Sequence, residues 1–195
     1  MRRSLRASRL GILVVLGLGA LVVATTVVAA SSSPWPMGGQ NISNTRSAPI
    51  SAINPQNVKQ LKPKWTFHTH GDVSATAAVV DGAVYFPDWG GYINKVNAST
   101  GALIWQRTID SYLGTNGDVA RTSPAVAGNT VYIGDQQVGK LLAIDATTGN
   151  LRWAAYVGGG DYFPLETQSP VVYNGEVYVG VASNEEARHK RSHQY

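Results

Sequence analysis

Few residues of this chain stand in patterns that could do chemistry by themselves. His68 and His70 alternate in the run Trp65-Thr66-Phe67-His68-Thr69-His70. On an extended backbone both imidazoles share one face, the arrangement of two metal ligands, but no third ligand lies nearby. The pair is therefore only a weak metal candidate. Arg121 follows Asp118 by three residues, close enough for the carboxylate to hold the guanidinium in place. Gly158-Gly159-Gly160-Asp161 is glycine-rich but lacks the strand-to-helix setting of a phosphate loop and reads as a linker. No Ser/His/Asp grouping has a recognisable frame. Asn41-Ile42-Ser43 and Asn97-Ala98-Ser99 match the glycosylation sequon by pattern alone. There is no cysteine, which excludes thiol catalysis, thiolate metal sites, a lipoprotein anchor and a Cys-x-x-Cys-His haem attachment.

The elements that must position these residues are clearer. Ile93–Trp105 (INKVNASTGALIW) and Leu141–Trp153 (LLAIDATTGNLRW) each read as a strand, a turn closing on Thr-Gly, and a second strand ending in Trp. Asn97 and Asp145 open the turns with a short polar side chain that bonds the backbone ahead of it. Gly101 and Gly149 close them, where φ is predicted to be positive. A second cycle occurs three times. Ala77–Phe86, Pro124–Ile133 and Pro170–Val179 are apolar strand pairs joined by Asp-Gly, Gly-Asn and Asn-Gly, strong local hairpin signals. Trp65 matches Trp105 and Trp153, so Lys64–Thr69 is predicted to be a strand closing an earlier unit.

Four strands per unit at a period near 48 residues predict a β-propeller blade. A β-sandwich built from the same hairpins would not require three features to recur at one period. The predicted fold is all-β, a partial propeller of about two and a half four-stranded blades, where closed propellers have typically four to eight. Blade one covers about Ser74–Ile109 and blade two about Arg121–Val157; a third begins at Thr167 and stops after its second strand. The recurring Trp is expected to fill the gap between neighbouring blades. Edges left unpaired at such a stop favour aggregation.

Residues 1–30 stand apart. Arg2, Arg3, Arg6 and Arg9 precede an apolar run over Leu10–Val28, and Val28-Ala29-Ala30 ends in small residues. That is a secretory signal peptide with cleavage after Ala30, or else an uncleaved anchor of about 19 apolar residues. Export to the periplasm or the exterior follows, with membrane contact only through an uncleaved leader. Of 16 Lys and Arg, four lie in this leader and three in the tail, Arg188, Lys190 and Arg191. The remaining 9 face 12 acidic residues, so the body is mildly acidic and carries no basic face for nucleic acid. Residues 31–63 are predicted to be an irregular lead-in, with Asn54-Pro55 starting a short helix and Trp35, Ile50, Ile53, Val58 and Leu61 requiring burial. Residues 64–186 form the incomplete propeller. Residues 187–195 have no strand periodicity and are basic, as expected of a truncated reading frame with an out-of-register tail.

Three stretches carry a family resemblance: NTRSAPISAINPQNVKQLKPKWTF, the repeat (Ile/Val)-(Asp/Asn)-Ala-x-Thr-Gly-x-Leu-x-Trp, and TQSPVVYNGEVYVGVASNEEA. Over nearly all of Ser31–Glu186 the chain resembles the N-terminal part of the pyrroloquinoline quinone (PQQ)-dependent alcohol dehydrogenases, exported eight-bladed propellers. The last stretch, taken with GDVARTSPAVAGNTVYIGDQ, is especially similar to the polyvinyl-alcohol dehydrogenase branch. The resemblance implies PQQ on the propeller axis, with Arg121 against the quinone, Thr167 as a hydroxyl donor, and Ala182, Ser183 and Asn184 in a loop passing over the cofactor. It implies Glu185 as a ligand of Ca2+, which acts as a Lewis acid on the quinone carbonyl. The catalytic base is expected beyond the chain end. Trp65, Gly101, Trp105, Gly149 and Trp153 are implied to be structural.

The implied activity is hydride transfer from an alcohol, small or polymeric, to PQQ, with an acceptor such as a cytochrome c; the truncated chain alone is expected to be inactive. Two departures bear on it. Thr115-Asn116 stands where many members have a vicinal disulfide, and Ser74 stands where they have glutamate. Both fit the polyvinyl-alcohol branch, and both fit a member that has lost PQQ and serves as a non-catalytic envelope binding or assembly scaffold.

Overall fold

The structure is a computed structural model and describes residues 34–159 and 164–183. Local turn chemistry builds most of it. Asp81 and Gly82 both take positive φ (50° and 72°), as do Asn174 and Gly175 (49° and 81°). This mirror-image turn matches the twist of the strands it joins. It pairs β1 (Ala78–Val80) with β2 (Ala83–Pro87), while β10 (Val171–Tyr173) pairs in the same way with β11 (Glu176–Tyr178). Between them β5 (Ala125–Ala127) turns into β6 (Thr130–Gly134) through Gly128 at φ 54°.

The first two hairpins each gain a second pair. β3 (Tyr92–Asn97) and β4 (Leu103–Thr108) complete an antiparallel sheet in the order β1-β2-β3-β4. β7 (Lys140–Asp145) and β8 (Leu151–Tyr156) complete β5-β6-β7-β8. The two sheets share their irregularities: the register slips between Lys95 and Val96 in one and between Ala143 and Ile144 in the other. Each slip falls one residue before the tryptophan of the outer strand, where a bulge re-aims the side chain.

The core is formed by the inward alternation of both sheets. Ile93, Val131, Ile133, Leu142 and Ile144 are fully buried in one cluster. Each such side chain contributes roughly 1.5–3 kcal/mol. Two short elements follow outside the sheets: β9 (Pro164–Leu165) pairs antiparallel with β12 (Ala182–Ser183).

Three features were not legible in the residue pattern. A one-turn helix, α1 (Ile109–Leu113), follows β4; the Thr108 hydroxyl accepts from Ser111 N and Gly114 closes the turn at φ 68°. Trp35 exchanges two backbone bonds with Val79 (2.7 and 2.8 Å), and Val126 N donates to Pro36 O, so the lead-in lies along the innermost strands of both blades. Lys64–Thr69 is not a ladder strand among the described residues. It is held instead by Trp65.

The lead-in also corrects two expectations. Asn54 does not cap the helix: its Oδ1 accepts from Gln56 N and Asn57 N in the turn that precedes it, and the helical turn is 3-10, covers only Val58–Gln60 and has Asn57 at its N-cap without a side-chain bond. Ile50, Ile53, Val58 and Leu61 are exposed, Ile50 at 67% and Leu61 at 59%.

Candidate cofactor site at the inner strand ends

A hydroxyl ladder sets the inner strands side by side. Thr76 N donates to Ser123 Oγ (2.9 Å), and Ser123 N donates to Ser169 Oγ (2.9 Å). Thr76, Ser123 and Ser169 are thus equivalent positions of three successive units. Two residues before each of them stand Ser74, Arg121 and Thr167. The hydroxyl of Ser74 accepts from the Trp89 indole (2.9 Å). Arg121 and Thr167 are exposed, and neither side chain has a hydrogen-bond partner among the described residues. A free guanidinium and a free hydroxyl at neighbouring strand ends suit a planar polycarboxylate such as PQQ.

Beneath them a cavity of about 340 Å³ runs between the inner strands and the lead-in, lined by Met37, Arg46, Thr76, Ser123, Gln168 and Ser169 among others. Gly38 lies against Ser123, where a Cβ would approach its Cβ to 3.1 Å. The other implied residues are less fully placed. Ala182 is half-buried and pairs with Leu165, and Ser183 pairs with Pro164. Asn184 and Glu185 lie outside the described residues, as do the leader and the tail.

Asp118 does not hold Arg121. It is buried (2% exposed), its Oδ1 accepts from Val119 N, and it faces Asp135. Burial and the Asp135 charge push its pKa up to about 6. Asp135, fully buried, accepts from the backbone N–H groups of Gln137, Val138 and Lys140. Glu166 lies beside Asp135, its side chain on Gly134. It is 0% exposed, and burial and the Asp135 charge raise its pKa to about 7. The sequence shows Glu166 only as a polar residue between Leu165 and Thr167.

Asp110 orders the loop that carries Thr115 and Asn116. Its carboxylate accepts from the Thr115 hydroxyl and from Gly117 N and Asp118 N, and these bonds hold its pKa below the usual range. His70 stacks on Tyr92 at 4.0 Å, and among the described residues no three His, Cys, Asp or Glu are set to hold a metal.

The blades themselves are joined by indoles. Trp65 Nε1 donates to Ala98 O and its ring lies on Gly101; Trp105 Nε1 donates to Ala146 O and its ring lies on Gly149. Four-stranded antiparallel sheets docked in this way are β-propeller blades. A family model, PQQ_2, described as outer membrane protein assembly factor BamB, matches residues 7–189, and the chain belongs to that family.

The chain is 32% identical over 172 residues to a 1-butanol dehydrogenase (cytochrome c) of Thauera butanivorans, covering 85% of this chain and 25% of the relative. It is 34% identical over 160 residues to the quinohemoprotein alcohol dehydrogenase of Comamonas testosteroni, covering 78% and 22%. The crystal structure of the enzyme of that name from C. testosteroni superposes with a TM-score of 0.65 at 29% identity, over 77% of this chain and 23% of that one. A polyvinylalcohol dehydrogenase of Pseudomonas sp. is 24% identical over 153 residues, covering 78% and 24%. The chain therefore spans about a quarter of the length of these curated relatives.

Proposed function

We propose that the chain supplies the first blades and part of the cofactor site of an exported PQQ-dependent alcohol dehydrogenase. The observation that carries this is the alignment of Arg121 and Thr167 in the equivalent segments that lead into β5 and β10, both without side-chain partners among the described residues, in a chain similar to quinoprotein alcohol dehydrogenases over most of its length. Arg121 would bind a PQQ carboxylate or quinone oxygen, and Thr167 would donate its hydroxyl. The strand pair carrying Ala182 and Ser183 would lead the Asn184 loop over the cofactor. Glu185 would contribute a carboxylate to Ca2+. PQQ, when bound, supplies the ortho-quinone that takes up hydride from the alcohol. The chain's own part is to orient and desolvate that group, while the base lies elsewhere. Primary, secondary and polymeric alcohols are the substrate classes, and a cytochrome c is the acceptor class. Residues 1–30 would direct export, residues 31–63 would lie against the inner strands, and residues 64–186 would form blades.

A second reading rests on the description of the matching family, an outer membrane protein assembly factor. Here the propeller would be a non-catalytic scaffold of the cell envelope. Titration of the full chain with PQQ at varied Ca2+, followed by dye-linked alcohol oxidation, separates the two. Calcium-dependent PQQ binding that weakens in Arg121→Ala supports the enzyme reading. No PQQ binding at any Ca2+ concentration, with co-isolation of outer-membrane assembly proteins from the envelope, supports the scaffold.

A further inference from the structure

The buried oxygens left unpaired are concentrated in one corner of blade two. Both carboxylate oxygens of Glu166, Oδ2 of Asp118 and Oε1 of Gln136 have no hydrogen-bond partner among the described residues. All four are acceptors in their charged or amide form, and three belong to acids that are 0–2% exposed. A buried carboxylate with no donor is strongly unfavourable when ionised and much less so when protonated.

Among the described residues no ion pair compensates these acids. On blade two Glu166 meets Gly134 at the end of β6 and, next to it, Asp135; Asp118 faces Asp135 from the α1–β5 connection, and Asp110 of α1 lies beside Asp118. From the β9–β12 pair, Leu165 and Ala182 carry no charge. The nearest basic residues in blade two's sequence, Arg121 and Lys140, form no ion pair with these acids; only Lys140 N bonds Asp135. Gly134 is necessary to the arrangement, because a Cβ there would lie 2.7 Å from Glu166 Cβ. Glu166 thus anchors the start of the third unit to the end of a blade-two strand, immediately before Thr167.

We propose that Glu166 is a positioning residue whose protonated carboxyl seats the Thr167 segment on blade two, so that loss of this proton loosens the third unit. The proton fills the place of the missing donor. Ionised, Glu166 stands unsolvated beside Asp135 and is relieved only when the segment lifts and water enters. Glu166 needs no contact with a ligand for this; the cofactor reading enters only in giving Thr167 something to bind, and the test requires no cofactor.

Hydrogen exchange of peptides spanning residues 164–183, corrected for intrinsic rates, is followed in the full chain from pH 5 to pH 9. Local opening is expected to rise roughly 10- to 100-fold across that range. In Glu166→Gln, which keeps the shape and neutrality of the acid, the rise disappears and protection stays near the wild-type value at low pH. Opening independent of pH in the wild type, or an equal rise in Glu166→Gln, overturns the proposal. Asp135→Asn gives an independent check: removing the neighbouring negative charge makes ionised Glu166 less unfavourable, so the rise in opening is smaller and is complete at lower pH than in the wild type. The titration of Glu166, read as its carboxyl 13C shift, falls to lower pH in Asp135→Asn; an unmoved midpoint counts against the coupling.

Discussion

The indole of Trp105 lies directly on Gly149, 44 residues further on and in the next blade. A Cβ built on Gly149 would come within 2.8 Å of Trp105 Cδ2, and Gly149 itself holds φ 72°. The contact repeats between Trp65 and Gly101, at 2.7 Å and φ 73°. Tryptophan, glycine and the Asx-opened turn thus form one joint, because the flat ring needs a bare backbone and the indole N–H needs the carbonyl of Ala98 or Ala146.

Gly149→Ala is expected to destabilise the chain by about 2–4 kcal/mol, from a left-handed alanine and the displaced ring together. Gly82→Ala is the control. It has the same φ of 72° but open space around it, and should cost about 1 kcal/mol. Denaturant midpoints of the two variants test the difference; equal losses would remove the ring from the explanation.

The tryptophans are predicted to be unequal. Trp105 is 5% exposed, whereas Trp153, its equivalent on β8, is 42% exposed. Trp105→Ala should cost about 3–5 kcal/mol. Trp153→Ala should cost less than about 1.5 kcal/mol in the same chain. Thermal or denaturant unfolding of both variants decides it.

The two turns differ in their acid response. Asp145 Oδ1 accepts from Thr147 N and Thr148 N, and its Oδ2 pairs with Arg152 at 2.6 Å. These bonds hold its pKa at about 2. Its contribution is present above the ordinary carboxylate range near pH 4 and is lost as pH falls through about 2. Asn97 opens the equivalent turn with bonds to Ser99 N and Thr100 N and no charge. Asp145→Asn should therefore keep the turn and flatten the stability curve between pH 4 and pH 2. An unchanged acid limb would contradict this.

Arg121→Ala is expected to weaken PQQ binding roughly 10- to 100-fold, and Thr167→Val by roughly 3- to 10-fold. Both side chains are exposed and unpaired among the described residues, so melting temperatures should stay the same. Fluorescence titration alongside a melt distinguishes lost contacts from lost structure.

What the sequence determined by itself was the repeat and its joints. Asp81-Gly82, Asn174-Gly175 and the turns opened by Asn97 and Asp145 act over four residues, and alternation acts over two, so their outcome is set locally. Even the inter-blade tryptophans were legible, because the period couples each one to a Thr-Gly turn. Tertiary structure alone decided what depends on burial and charge at long range. It left Ile50, Ile53, Val58 and Leu61 exposed, drew Trp35 onto Val79, and left Lys64–Thr69 without a ladder partner. It turned Asp118 away from Arg121 towards Asp135, and it buried Glu166 on Gly134, 32 residues away. No spacing rule encodes these, since whether a carboxyl meets water, a cation or another carboxyl is settled only when distant strands pack.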